Sequence, residues 1–110
     1  MEVPHKAVDF IIKTAPLHAK AKSERVYLEE FRKAKKALLM KDAMLAGFES
    51  VNAQEREAYA HPEYQEVLVG LAVAIETEET LKWQLEAARM RTDIWRTEQA
   101  NARMEIKATE

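Results

Sequence analysis

Apolar positions recur at helical spacing through almost the whole chain, and four helical segments follow from them. Val8, Ile11, Ile12 and Ala15 mark a first segment over about 3–14. Pro4 suits its first turn, where a missing N–H costs nothing. Pro16 then removes a hydrogen bond and disfavours helix at Ala15, which predicts a kink or break. A second helix is expected over about 16–46. Leu17, Ala21, Leu28, Phe31, Leu38 and Leu45 lie on one stripe, interrupted by Glu24, Lys35 and Asp42. Gly47 supplies its stop, since glycine accepts the left-handed conformation just past a helix end. A short helix over 53–60 follows, with Asn52 as its expected cap and Glu55 three residues on, as in a capping box. His61-Pro62 ends it.

The fourth segment, about 63–107, carries the strongest pattern. Val67, Leu71, Ala74, Glu78, Leu81, Leu85, Ala88, Thr92, Trp95, Gln99, Ala102 and Ile106 follow strict 4-3 spacing, and nine of these twelve are apolar. Five heptads without proline predict a coiled-coil seam. The expected fold is all-α, one helical domain over 1–110. It is a long antiparallel hairpin with a short connecting helix, coiled-coil-like and dimerising into a helical bundle. The second helix spans about 45 Å against about 65–70 Å for the fourth, so roughly 20 Å of seam is left over near Trp95 and Ile106. The N-terminal segment or a second copy would cover it, and a two-fold dimer is the favoured solution. The seam residues expected to serve core and dimer are Leu71, Leu81, Leu85, Ala88, Trp95 and Ile106.

Composition agrees with this pattern. Of 110 residues 47% are hydrophobic and 33% charged, with only 2 Gly and 3 Pro. That is too apolar for a disordered chain and is typical of long helices. Cysteine is absent, which excludes disulfides and thiolate metal sites. Met1–Lys13 holds no apolar run of signal-peptide length, and no stretch approaches a bilayer span. The expected location is the cytoplasm.

Net charge is only −2, but its distribution is uneven. Lys20 to Lys41 holds eight bases against three acids, net +5, and Glu49 to Glu79 holds eight acids against one base, net −7. Segments of opposite sign are expected to pair with each other. The competing use of the basic run is a surface for nucleic acid or an acidic partner. Glu78 and Lys35, each mid-stripe, are candidates to meet across the hairpin, where a buried pair fixes register more than it stabilises. The heads could equally reach water while the stems flank the core. Lys82, Arg89, Arg96 and Arg103 recur every seven residues beside the seam, as a coiled-coil flank or a phosphate-following line. Glu79, Glu86 and Asp93 lie close enough along the helix to neutralise part of it. Trp83, off the stripe, is a candidate contact residue. With Arg32, Lys33, Lys36 and the basic line it completes the set expected to touch a partner or nucleic acid.

Catalysis is not expected. His5, His18 and His61 are scattered, there is no HExxH pair, and neither a phosphate-cradling glycine loop nor a nucleophile elbow occurs. No catalytic, metal or cofactor residues are assigned.

The runs RVYLEEFRKAKKALLMK (Arg25 to Lys41), AQEREAYAHPEYQ (Ala53 to Gln65) and LKWQLEAARMRTDIWR (Leu81 to Arg96) resemble a family of small helical proteins of tailed bacteriophages and prophages. Such proteins are often encoded near recombination and replication genes. The resemblance implies a non-catalytic accessory of phage DNA metabolism; joined to the uncovered seam, it gives the expectation of a self-associating homodimer in the host-cell cytoplasm that works through protein contacts. Two rival expectations are a direct single-stranded nucleic-acid binder using its basic helix faces, and an inhibitor of a host nuclease or defence protein.

Overall fold

The computed structural model describes residues 4–109, and the expected start at Val3 lies outside them. Among the described residues there are three helices and no strand: α1 (Pro4–Leu45), α2 (Val51–Ala60) and α3 (Pro62–Thr109). The all-α class and the long hairpin with its short connecting helix are as the pattern predicts. The break at Pro16 is not there. α1 runs through it as one helix of 42 residues. A mid-helix proline costs about 3 kcal/mol in isolation, so packing must hold the helix together. The covered face, Ala7, Ile11, Thr14, His18 and Ala21, keeps its spacing straight through this turn, while Pro16 and Ile12 are exposed. The Ile12 carbonyl that loses its bond belongs to an exposed residue, on a side of the helix open to solvent.

Local chemistry sets the remaining boundaries. α1 ends at Gly47, whose φ of 105° is the left-handed conformation expected of it. The Gly47 N–H donates to the Met44 carbonyl and the Phe48 N–H to the Ala43 carbonyl, both at 3.1 Å, which satisfies the last turn. α2 starts two residues before the expected position. Its cap is Ser50 rather than Asn52: the Ala53 N–H donates to Ser50 Oγ at 3.1 Å. Glu55 is consequently not part of a capping box and reaches Lys36 instead, at 3.7 Å. His61, extended before Pro62, accepts from the Glu63 N–H through Nδ1 at 3.1 Å and so opens α3. Gln54 Nε2 donates to the Phe48 carbonyl at 2.9 Å and ties the connector down.

The contacts group into two units, one of residues 20–78 and one of 1–19 with 79–110. In the 20–78 unit the C-terminal part of α1 and the first turns of α3 run antiparallel. Arg25 meets Glu78 and Lys35 meets Glu63, so numbering rises on one helix as it falls on the other. Leu39, Ala58 and Tyr64 form the buried cluster, with Met40 and Leu68 packed on it. Tyr59 and Tyr64 meet edge to face at 5.3 Å. In the other unit Ala7, Thr14 and Ala88 are buried, and Ile11, His18, Leu81, Leu85, Thr92 and Trp95 half-buried.

The covered face of α1 keeps Ala21, Leu28 and Lys35 of the expected stripe but is rotated from it elsewhere, taking in Arg25, Arg32 and Leu39, whereas Leu17, Glu24, Leu38, Asp42 and Leu45 are exposed. Phe31 is half-buried and stacks on Tyr27 at 5.8 Å. An apolar count misplaces the seam because three of its positions are cations. Their long stems cover apolar surface, and the heads of Arg25 and Lys35 pair with Glu78 and Glu63 of α3.

Candidate interaction surface

The expected pairing of the two charged segments is present, in a different register from the one proposed between Lys35 and Glu78. Lys35 Nζ lies 3.1 Å from Glu63, and Glu78 is taken by Arg25, which also holds Glu29 at 2.8 Å. Ten residues separate Arg25 from Lys35, about 15 Å along the helix, so one acid cannot serve both. These contacts shift the groups in the directions ion pairing requires. The Arg25 guanidinium is held further toward its charged form, first by Glu78 and then by Glu29. The Glu63 carboxyl is lowered, chiefly by its hydrogen bond with Lys35. The Lys36 ammonium is raised, first by a bond to Tyr59 and next by Glu55, and it sits 4.7 Å from the centre of the Tyr59 ring.

The candidate contact residues differ in what engages them. Lys36 is engaged with Glu55 and Tyr59, and Lys33 lies 3.3 Å from Glu30 on its own helix. Arg32 is half-buried on the covered face. On α3, Lys82, Arg89, Arg96 and Arg103 are all exposed and keep their line. Arg89 bonds Glu86 at 3.1 Å, Arg96 approaches Asp93 at 3.9 Å, and Lys82 lies 5.5 Å from the Trp83 ring centre. The local acids temper the line, as their spacing predicts.

The seam residues divide along the helix. Leu71 and Ala88 are buried, and Leu81, Leu85 and Trp95 half-buried. From 101 to 109 every residue is exposed, Ile106 at 60%. Within its unit, α1 offers 16 residues, about 24 Å, against about 46 Å of α3, so roughly 20 Å of seam runs on without a neighbour among the described residues. The described N-terminal turns cover part of the seam by continuing α1.

A second apolar stripe on α3 escaped the sequence reading. Starting from Trp83, the same 4-3 spacing picks out Ala87, Met90, Ile94, Thr97, Asn101, Met104 and Ala108. Trp83 is two residues from Leu85, roughly 200° around the helix, so this stripe lies on the face away from the covered seam. Its large members are 63% (Trp83), 59% (Met90), 55% (Ile94) and 68% (Met104) exposed. The signal was available: an off-stripe tryptophan is where a second heptad count should begin. Two opposed stripes mask each other in any measure that asks whether a helix has one apolar side.

Among the described residues no group of three or more His, Asp or Glu side chains is assembled to hold a metal ion, and no helix is long and apolar enough to cross a membrane. Comparison with protein-family models, curated proteins and solved structures gives no match.

Proposed function

We propose that this chain is a non-catalytic helical interaction protein that self-associates and presents helix faces to a protein partner. The observation that carries the reading is unspent apolar surface. The chain exposes 8375 Å², whereas a folded monomer of its 12.7 kDa exposes roughly 6,200 Å². Among the described residues no large side chain is fully buried, although 47% of the sequence is hydrophobic. The large side chains Trp83, Met90, Ile94 and Met104 are exposed in a row along α3, and contiguous exposed apolar surface marks interaction sites. The resemblance to small helical phage proteins suggests that the partner acts in DNA recombination or replication.

Sedimentation equilibrium of the purified protein tests the reading. Reversible dimers or higher species at micromolar concentration are expected. A monomer across the whole accessible range refutes it.

Direct single-stranded nucleic-acid binding is the second reading, favoured by the exposed line Lys82, Arg89, Arg96 and Arg103. It requires affinity for a labelled oligonucleotide that falls steeply with salt, each lost phosphate contact lowering the slope by about one. Absence of binding at low salt eliminates it.

A further inference from the structure

We infer that the outer stripe of α3 is an antiparallel docking surface for α3 of a second copy of this chain, the two helices crossing near Met90 and Ile94. The inference rests on the self-association proposed above and specifies its surface, orientation and register.

Three observations select this occupant. The first is area. Trp83, Met90, Ile94 and Met104 together expose on the order of 500 Å² per copy, about 1,000 Å² for two, which nearly reaches the lower limit of a stable interface before the smaller stripe residues are added. The second is the composition of the stripe. From Thr80 to Ala108 it carries no charge, only apolar residues with Thr80, Thr97 and Asn101. A helix matching it must be equally uncharged, and this helix meets that condition against itself.

The third is charge along the two borders. Arg91 and Glu98 lie on one border, Glu79 and Lys107 on the other, and all four are exposed. In an antiparallel pair centred between Met90 and Ile94, Glu79 faces the second copy's Lys107 and Lys107 its Glu79, and two-fold symmetry makes that attraction occur twice. On the opposite border Glu98 faces the second copy's uncharged Gln84. Two like-charge contacts oppose the pair, Arg91 and Asp93 each facing its own copy, and Arg96 lies 3.9 Å from that Asp93 carboxylate in the same chain. Along the stripe Ile94 meets Met90, Ala87 meets Thr97, and the bulky Trp83 and Met104 meet the smaller Asn101 and Thr80. A parallel pair sets Glu86 beside Arg91 and Asp93 beside Glu98, contacts that cancel, and it sets Trp83 against Trp83, so size rather than charge favours the antiparallel pair.

The test begins with wild-type protein, Ile94→Glu and Ile106→Glu in parallel sedimentation runs, with helicity followed by circular dichroism. Ile94 is exposed, so the substitution is not expected to disturb the fold of the single chain. The dimer dissociation constant is expected to rise at least about 100-fold for Ile94→Glu, the effect of a charge placed in a desolvated centre. Ile106→Glu, on the other face, should dimerise as wild type does. If wild type is monomeric, this inference and the proposed function both fail. If wild type dimerises and Ile94→Glu does so equally well, only this inference fails.

Orientation has its own readout, helped by the absence of native cysteine. Ala87→Cys mixed with Thr97→Cys should give a cross-linked heterodimer on oxidation, while each alone cross-links poorly. Ready self-cross-linking of Ala87→Cys would mean that the helices run parallel and would overturn the arrangement.

Discussion

Leu39 and Leu38 are neighbours of identical chemistry on opposite sides of a decision. Leu39 is 5% exposed within the cluster of Ala58 and Tyr64, whereas Leu38 is 56% exposed. Leu39→Ala removes three carbon groups from that cluster, about 2.4 kcal/mol at about 0.8 kcal/mol per buried group. A residual cavity adds to the loss, but Met40 and Leu68 border the site and methionine adapts readily. The expected cost is about 3 kcal/mol, a large share of the roughly 5–15 kcal/mol that holds a domain folded. At roughly 4 °C per kcal/mol the midpoint should fall by about 12 °C. Leu38→Ala removes the same atoms from a largely hydrated site and should cost under about 1 kcal/mol. Thermal and urea melts followed at the helical circular dichroism band, at matched protein concentration, read both. Equal costs, or a larger cost at Leu38, would refute the rotation of the α1 seam on which the description of the core depends.

Gly70 sits inside α3, and a Cβ built there would meet only Leu28 Cδ1, at 4.0 Å, an ordinary contact. Gly70→Ala should therefore stabilise by about 0.5–1 kcal/mol in urea melts, and a loss of stability would show that the helices are closer than described. Ser50→Ala should cost about 1 kcal/mol and Asn52→Ala much less; the reverse order would restore Asn52 as the cap of α2. Acid should weaken the Lys35–Glu63 pair. The Glu63 carboxyl is lowered in the folded state from its ordinary value of 4.5, so its contribution is present above that value and is lost as pH falls through the lower, folded one. The difference in melting temperature between wild type and Glu63→Gln should accordingly be small but measurable at pH 7 and vanish toward pH 3, and a difference that persists there would contradict the assignment.

Much of the fold was legible because it is written in local chemistry. The end of α1 at Gly47, the junction at His61-Pro62, and the length of α3 all depend on residues a few positions apart, whose conformational preferences act without the rest of the chain. The pairing of a basic with an acidic segment was also visible, since charge of opposite sign over a whole run survives any error in register. The 4-3 pattern of α3 identified Leu71, Leu81, Leu85, Ala88 and Trp95 as a covered face for the same reason.

Tertiary structure decided what local rules could not weigh. The penalty at Pro16 is a local quantity, but the packing of Ala7, Thr14 and Ala21 that overrides it comes from another part of the chain. Arg25, rather than Lys35, received Glu78 because register is fixed by the sum of contacts along two helices, and no single pair of residues reveals it. The true seam of α1 takes in Arg25 and Arg32 beside Lys35, and Arg25 and Lys35 pair with acids of α3, so a count of apolar letters chose Leu38 where the seam holds Leu39. The outer stripe of α3 was present in the sequence throughout. Only the fold distinguished it from the seam, by covering one face of the helix and leaving the other in water.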